Sequence, residues 1–255
     1  MQYWKYLQKV EAIICDVIQG AFPRSWVEDT VSYNICAELQ KQLSFETIDG
    51  LSRPLHVRWD AFKLRGKSET LYGDIAVIVN YQTWEGETIK GISFFEAKIK
   101  DKSKDMYPSY KKSQLINQTS NLKHSNVLLY SHTQITEFED NLRFLPFLSG
   151  TRNKSYTAFT HALSVQTDTV LQVDKNDRSL HKFGLPLSQQ LCRNLRGMDL
   201  DTNPDVVNRV IGWTNDNNGG VNYLLVASVS ESEKPKDLQQ LELNLQIYSS
   251  LDDNT

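Results

Sequence analysis

The chain has 255 residues, 40% of them hydrophobic, and a formal charge of -3 at pH 7. That length supports one large core or two small ones. The charge excludes a protein that grips nucleic acid through bulk positive potential alone. No run approaches the roughly 18 apolar residues of a membrane span, and Lys5, Lys9, Glu11 and Asp16 interrupt the opening segment where an export signal needs an apolar run. The expectation is a cytoplasmic protein with no membrane partner. Cys15, Cys36 and Cys192 have no paired spacing and read as buried small side chains, neither a disulfide framework nor a zinc site.

Trp4, Leu7, Val10, Ile13, Ile14 and Val17 recur at close to a helical period, which predicts an opening helix closed by Gly20 and Pro23. A second helix is predicted over 25–43, with Val27, Val31, Ile35 and Leu39 facing the core. Glu38 falls on that same inward face, where a carboxylate is costly unless something positive meets it. The segment LHVRWDAFKL alternates as a half-buried strand, LYGDIAVIVNY is a second strand, and WEGE turns the chain into a third, TIKGISFFEAKIK. The last two form a hairpin. Glu96 and Lys98, two apart, point to one side of their strand, and Asp74 can meet them from its neighbour.

A lysine-rich segment follows, then a helix over 109–121 and the short strand NVLLYS. Helix, strands, helix and strand in this order suit a mixed sheet flanked by helices. Beyond residue 132 the pattern predicts a strand at TDTVLQV, a helix at PLSQQLCRNLRG ended by Gly197, and another at DTNPDVVNRVIGW. FLPFLSG reads as an apolar loop or short helix. NDNNGG is a turn before the strand VNYLLVASVS, and LELNLQIY reads as a terminal strand burying Leu241, Leu243, Leu245 and Ile247.

The chemistry concentrates at Asp74, Glu96 and Lys98. A hard cation such as magnesium takes a few carboxylate oxygens and completes its shell with water and phosphate. Asp74 and Glu96 supply that minimum, the carbonyl of Ala97 or the carboxylate of Glu38 adds a ligand, and manganese fits the same set. Lys98 beside the cation would orient water and steady charge growing on a phosphoryl oxygen. Gly73 leaves room for a substrate backbone to approach. Lys100, Lys102, Lys104, Lys111 and Lys112, opposed only by Asp101 and Asp105, are positioned to grip phosphates or to solvate a loop. The bland alternative for the three central residues is a cross-strand ion pair worth roughly 0 to 1 kcal/mol. The five histidines show no metal-ligand spacing.

Gly73 and Asp74, separated by a hairpin from EAK at Glu96 to Lys98, resemble the PD-(D/E)xK motif of the restriction-endonuclease-like nucleases. The resemblance covers about 25–131. It implies an α/β fold with a restriction-endonuclease-like core, a central mixed sheet flanked by helices, and a C-terminal α+β elaboration over 132–255 within a single nuclease domain. It further implies Mg2+-dependent phosphodiester hydrolysis leaving a 5′-phosphate, with Asp74 and Glu96 as ligands and Lys98 as the catalytic lysine. Many members add an acid from the first core helix. Glu38 is the best match for it, with Glu28 or Glu69 as substitutes. Gly73 replaces the motif's proline. Relatives resembling RecB-type nucleases carry a glutamine and a tyrosine four apart in the next helix; here Gln114 is followed by Gln118, so only the first half matches. Gln114 then touches substrate or water. DNA is the expected partner, with RNA open, in restriction, phage defence or repair. Cutting both strands calls for a homodimer or a partner in an effector complex. The alternative is a catalytically inactive module of the same fold that binds nucleic acid or assembles with other proteins.

Overall fold

The computed structural model describes residues 1–49, 52–65, 72–108, 110–138, 159–212, 221–232 and 243–251. Two helices open the chain, α1 (Tyr3–Ala21) and α2 (Glu28–Gln42), followed by β1 (Glu46–Ile48), β2 (Leu55–Leu64), β3 (Ile75–Gln82) and β4 (Thr88–Ile99). Next come α3 (Lys112–Asn121), β5 (Ser125–Ile135), β6 (Thr160–Gln166) and α4 (Thr167–Val173), then β7 (Leu185–Pro186), α5 (Leu187–Asn194) and α6 (Pro204–Val210). The strands β8 (Tyr223–Ser230) and β9 (Tyr248–Ser250) finish the described chain.

The described strands form one nine-stranded mixed sheet in the order β1-β2-β8-β3-β4-β5-β6-β7, with β9 beside β2. Alternation sorts the side chains between its faces. Val57, Trp59, Ile75, Val77, Val79, Phe95, Ala97, Leu128 and Tyr130 pack with α1, α2 and α5. Ala76, Ile78, Ile92 and Phe94 pack with α6, and Val127, Leu129 and Val165 with α3 and α4. With both faces covered, the central strands are almost continuously apolar. This is an α/β fold with a central mixed sheet flanked by helices.

The β3–β4 hairpin pairs Ile75 with Phe95 and Gln82 with Thr88, and α3 then crosses so that β5 runs parallel to β4. β8, from the far end of the chain, lies between β2 and β3, antiparallel to the first and parallel to the second. The described residues beyond 132 therefore build the middle and one edge of the sheet. Glu11 on α1 ties the same region down, accepting hydrogen bonds from Thr160 at 2.6 Å and from Ser188.

Two predicted strands take other forms. TDTVLQV is the helix α4, which buries Thr167 and Val170, three apart, and places Asp168 in the first turn where the helix dipole favours an acid. In LELNLQIY, Leu241 lies outside the described residues, Leu245 is exposed, and Asn244 accepts the Gln246 N–H to form a turn before the short β9. The predicted turn NDNNGG and the segment FLPFLSG also lie outside the described residues.

Candidate active site

Asp74 stands at the edge of β3, where its main chain is fixed from two sides. Its N–H donates to the Phe95 carbonyl of β4 at 2.9 Å, and its carbonyl accepts the Tyr223 N–H of β8 at 2.9 Å. Gly73 makes this junction possible. It has φ +92°, and a Cβ there would lie 2.8 Å from the Phe95 carbonyl oxygen. The space expected for an approaching substrate is thus filled by the protein's own β4 backbone.

The Asp74 side chain reaches along β4. Oδ2 accepts the Ala97 N–H at 2.9 Å, and Oδ1 accepts from Asn222 Nδ2 at 3.3 Å. On either side of Ala97 stand Glu96 and Lys98, the lysine ammonium donating to Glu96 Oε1 at 2.8 Å and to the Ala97 carbonyl at 2.6 Å. The second Glu96 oxygen accepts from Gln114 at 2.9 Å and from Gln118 at 3.3 Å, both on α3. Glu28, the first residue of α2, completes the group, its Oε1 3.5 Å from the Lys98 ammonium.

Three carboxylates thus surround one ammonium in a largely buried setting. Burial, then the neighbouring charges of Glu96 and Glu28, lift Asp74 to about 7, against the pull of Lys98 and the Ala97 N–H. Burial raises the Glu28 carboxyl as well, with Lys98 opposing and Glu96 reinforcing. Burial alone would lower the Lys98 ammonium; the Glu96 and Glu28 carboxylates outweigh it and raise the pKa.

The structure brings Asp74, Glu96, Ala97, Lys98 and Gln114 together and leaves Glu38 out. Glu38 is partly exposed near the far end of α2, accepting from Lys41 at 3.2 Å and Gln42 at 2.7 Å. Ten residues of helix, about 15 Å at 1.5 Å per residue, separate it from Glu28. The inward stripe of α2 is Val31, Ser32, Ile35, Cys36, Leu39 and Gln40, so Glu38 lies just off the face that its spacing suggested. Glu28 supplies the helix acid instead, and Glu69 lies outside the described residues.

The lysine cluster divides. Lys100 is buried, paired with Asp105 at 2.6 Å and bonded to Thr133 at 2.8 Å, and Lys112 pairs with Asp174 at 2.7 Å, so neither presents an unengaged ammonium. Lys102 donates to the Pro23 carbonyl at 2.9 Å yet stays exposed, as do Lys104 and Lys111. The sequence marks Gln118 only as a departure from the RecB-type pattern and does not point to Asn222. The i, i+4 spacing from Gln114 signals the first; Asn222 reaches the site only because β8 inserts beside β3, which no local pattern reveals.

The donors are hard oxygens of the kind magnesium or manganese takes. Their present partners are all protein groups: Lys98 and two glutamines on Glu96, the Ala97 N–H and Asn222 on Asp74, Lys98 on the Ala97 carbonyl. Among the described residues, no group of three or more His, Cys, Asp or Glu side chains is arranged to hold a metal ion. No helix among them is long and apolar enough to cross a membrane. No family model, no curated protein and no solved structure matches this chain.

Proposed function

We propose that the chain is a metal-dependent nuclease with a restriction-endonuclease-like core, acting on DNA, and that Asp74, Glu96, Lys98 and Glu28 form its active centre. One observation carries the reading. Asp74 from β3 and the E-x-K run of β4 converge on one buried, acid-rich centre whose aspartate is lifted to about 7. Asp74 and Glu96 would hold Mg2+ or Mn2+, with the Ala97 carbonyl as a further oxygen. Bound there, the cation neutralises phosphate charge and makes an attacking water more acidic.

The remaining roles belong to the chain's own groups. Lys98 holds its ammonium where negative charge grows on the phosphoryl oxygens, and Glu28 keeps that ammonium charged and in place. Gln114 and Gln118 fix the rotamer of Glu96. Water is the nucleophile and a 5′-phosphate the product. Cleavage of both DNA strands would take a second copy or a partner bearing another site, a setting that suits restriction, phage defence or repair.

A second reading is a catalytically inactive module of the same fold that binds nucleic acid or assembles with other proteins. The engagement of Glu96, Asp74 and Ala97 oxygens by protein donors favours it, and on the metal question the described geometry stands closer to this reading.

The two separate in one experiment. Purified protein is incubated with supercoiled, linear and single-stranded DNA and with RNA, in Mg2+, Mn2+ or EDTA, beside Lys98→Ala and Asp74→Asn. The nuclease reading expects cleavage that needs the metal and is lost in both variants. Intact substrates throughout, with binding indifferent to Mg2+ and to Asp74→Asn, would establish the inactive module instead.

A further inference from the structure

Next to the Lys98 centre along the chain lies a cleft of about 460 Å³, whose lining includes Trp26, Asp101, Lys102, Lys104, Met106 and Pro108. Its lining residues adjoin the centre along the chain. Trp26 is two residues before Glu28, and Ile99 and Lys100 continue β4 past Lys98. Lys102 is four residues beyond Lys98, hence at most about 13 Å along an extended chain.

The cleft is built rather than incidental. Trp26 donates its indole N–H to the Lys100 carbonyl at 2.8 Å and is fixed edge-on against Phe22 and His132, with centroids 5.7 and 5.6 Å away. The loop carrying the lysines is closed by Asp101, whose Oδ1 accepts from the Ser103 N–H, the Ser103 hydroxyl and the Lys104 N–H. Its far end is anchored by Tyr107, whose N–H donates to the Asn176 carbonyl at 2.7 Å.

Charged and apolar side chains both line it. Lys100 is neutralised by Asp105, and Asp101 turns into its own loop, so the positive charge comes from the exposed Lys104 and from Lys102, whose ammonium keeps donors beyond the one it gives the Pro23 carbonyl. Met106, an exposed thioether, and Pro108 line the cleft together with the edges of the nearly buried Trp26 and Tyr107. Two lysines beside apolar side chains in one cleft suit a ligand that is anionic at one end and flat and apolar at the other.

We propose that this cleft is a nucleotide-binding subsite: Lys102 and Lys104 hold a phosphate, and Met106, Pro108 and the Trp26 edge receive the base. The nucleotide is the one next to the scissile bond in a bound strand, a placement that rests on the nuclease reading of Lys98; a mononucleotide in solution shares the same chemistry.

The test measures binding in EDTA, where no metal-dependent cleavage can occur. Anisotropy of a labelled single-stranded oligonucleotide is followed with wild type, with Lys102→Ala/Lys104→Ala and with Met106→Asp, all at exposed positions. Both variants are expected to bind about tenfold or more weakly, and the double variant to lower the salt slope of log K by about 1.4, two contacts at 0.7 each for single strands. A nucleoside 5′-monophosphate is expected to compete where inorganic phosphate at equal concentration does not. If only the mononucleotide binds, the subsite stands with a small-molecule occupant.

Unchanged affinity in both variants, or phosphate competing as well as the mononucleotide, overturns the subsite. The nuclease reading is scored separately. Wild type that cleaves in Mg2+ while both variants bind and cut normally removes the subsite alone, whereas variant-sensitive binding without any cleavage removes the nuclease alone.

Discussion

Asp74 Oδ2 accepts the Ala97 N–H at 2.9 Å, so the carboxylate of one strand is tied to the central residue of the E-x-K run on the next. The same contact holds the acid in a buried place beside Glu96 and Glu28, which is why its carboxyl is lifted to about 7. Because the folded-state value is raised, the stability contributed by this group is complete below the unfolded value near 4. It is lost as pH rises through 7.

Asp74→Asn should therefore flatten the stability curve. Its amide oxygen can keep the Ala97 bond, and Asn222 can rotate its amide to offer an oxygen to the new NH2 group. At pH 8 the variant is expected to exceed wild type in stability, by at most about 4 kcal/mol, and to converge with it near pH 4. Urea midpoints from pH 4 to 8 check this; parallel curves for the two proteins would contradict the burial of an ionised Asp74.

Gly73→Ala carries two costs at one position. The residue sits at φ +92°, and the added Cβ would meet the Phe95 carbonyl at 2.8 Å, a backbone atom that cannot swing aside. A loss of about 1 to 3 kcal/mol is expected, and because Asp74 follows directly, the carboxylate is displaced with it. Denaturation midpoints read the first effect. Cleavage or oligonucleotide binding by protein that remains folded reads the second.

The strand pair and its E-x-K run were legible because period-2 alternation fixes which residues share a side, and the WEGE turn fixes the hairpin. Glu38 misled because α2 is amphipathic over a narrow stripe: a carboxylate one step from that stripe finds Lys41 and Gln42 at the surface. Glu28 is only a substitute for Glu38 in the resemblance, yet as the first helical residue it is carried to within 3.5 Å of the Lys98 ammonium on β4. Insertion of β8 between β2 and β3 pairs residues more than 140 positions apart, such as Asp74 with Asn222. Local periodicity holds no trace of such a pairing.

The two glutamates give a direct comparison. Glu28→Gln removes one of the charges that hold Lys98 protonated, and a supporting partner of this kind is worth about 10- to 100-fold in activity or metal affinity. Glu38→Gln changes only a surface contact and should stay within about twofold. Initial rates on supercoiled DNA in Mg2+, with both variants at matched folded concentration, distinguish them. Equal losses, or a larger loss at Glu38, would remove Glu28 from the centre.

Lys98 and Glu96 are both largely buried and share a 2.8 Å ion pair, so neither can be removed without exposing the other's charge to a poor environment. Lys98→Met leaves Glu96 and Glu28 facing each other without their cation, and a cost of about 3 to 5 kcal/mol is expected. Glu96→Gln added to Lys98→Met removes one of those stranded charges while keeping the side-chain volume and an oxygen for Gln114. The double variant should then be more stable than Lys98→Met alone, although inactive in cleavage. Urea denaturation of wild type, both single variants and the double variant gives the coupling energy. A double variant whose loss equals the sum of the two singles would show that the ion pair contributes nothing, and that the role of Lys98 must be sought in substrate binding alone.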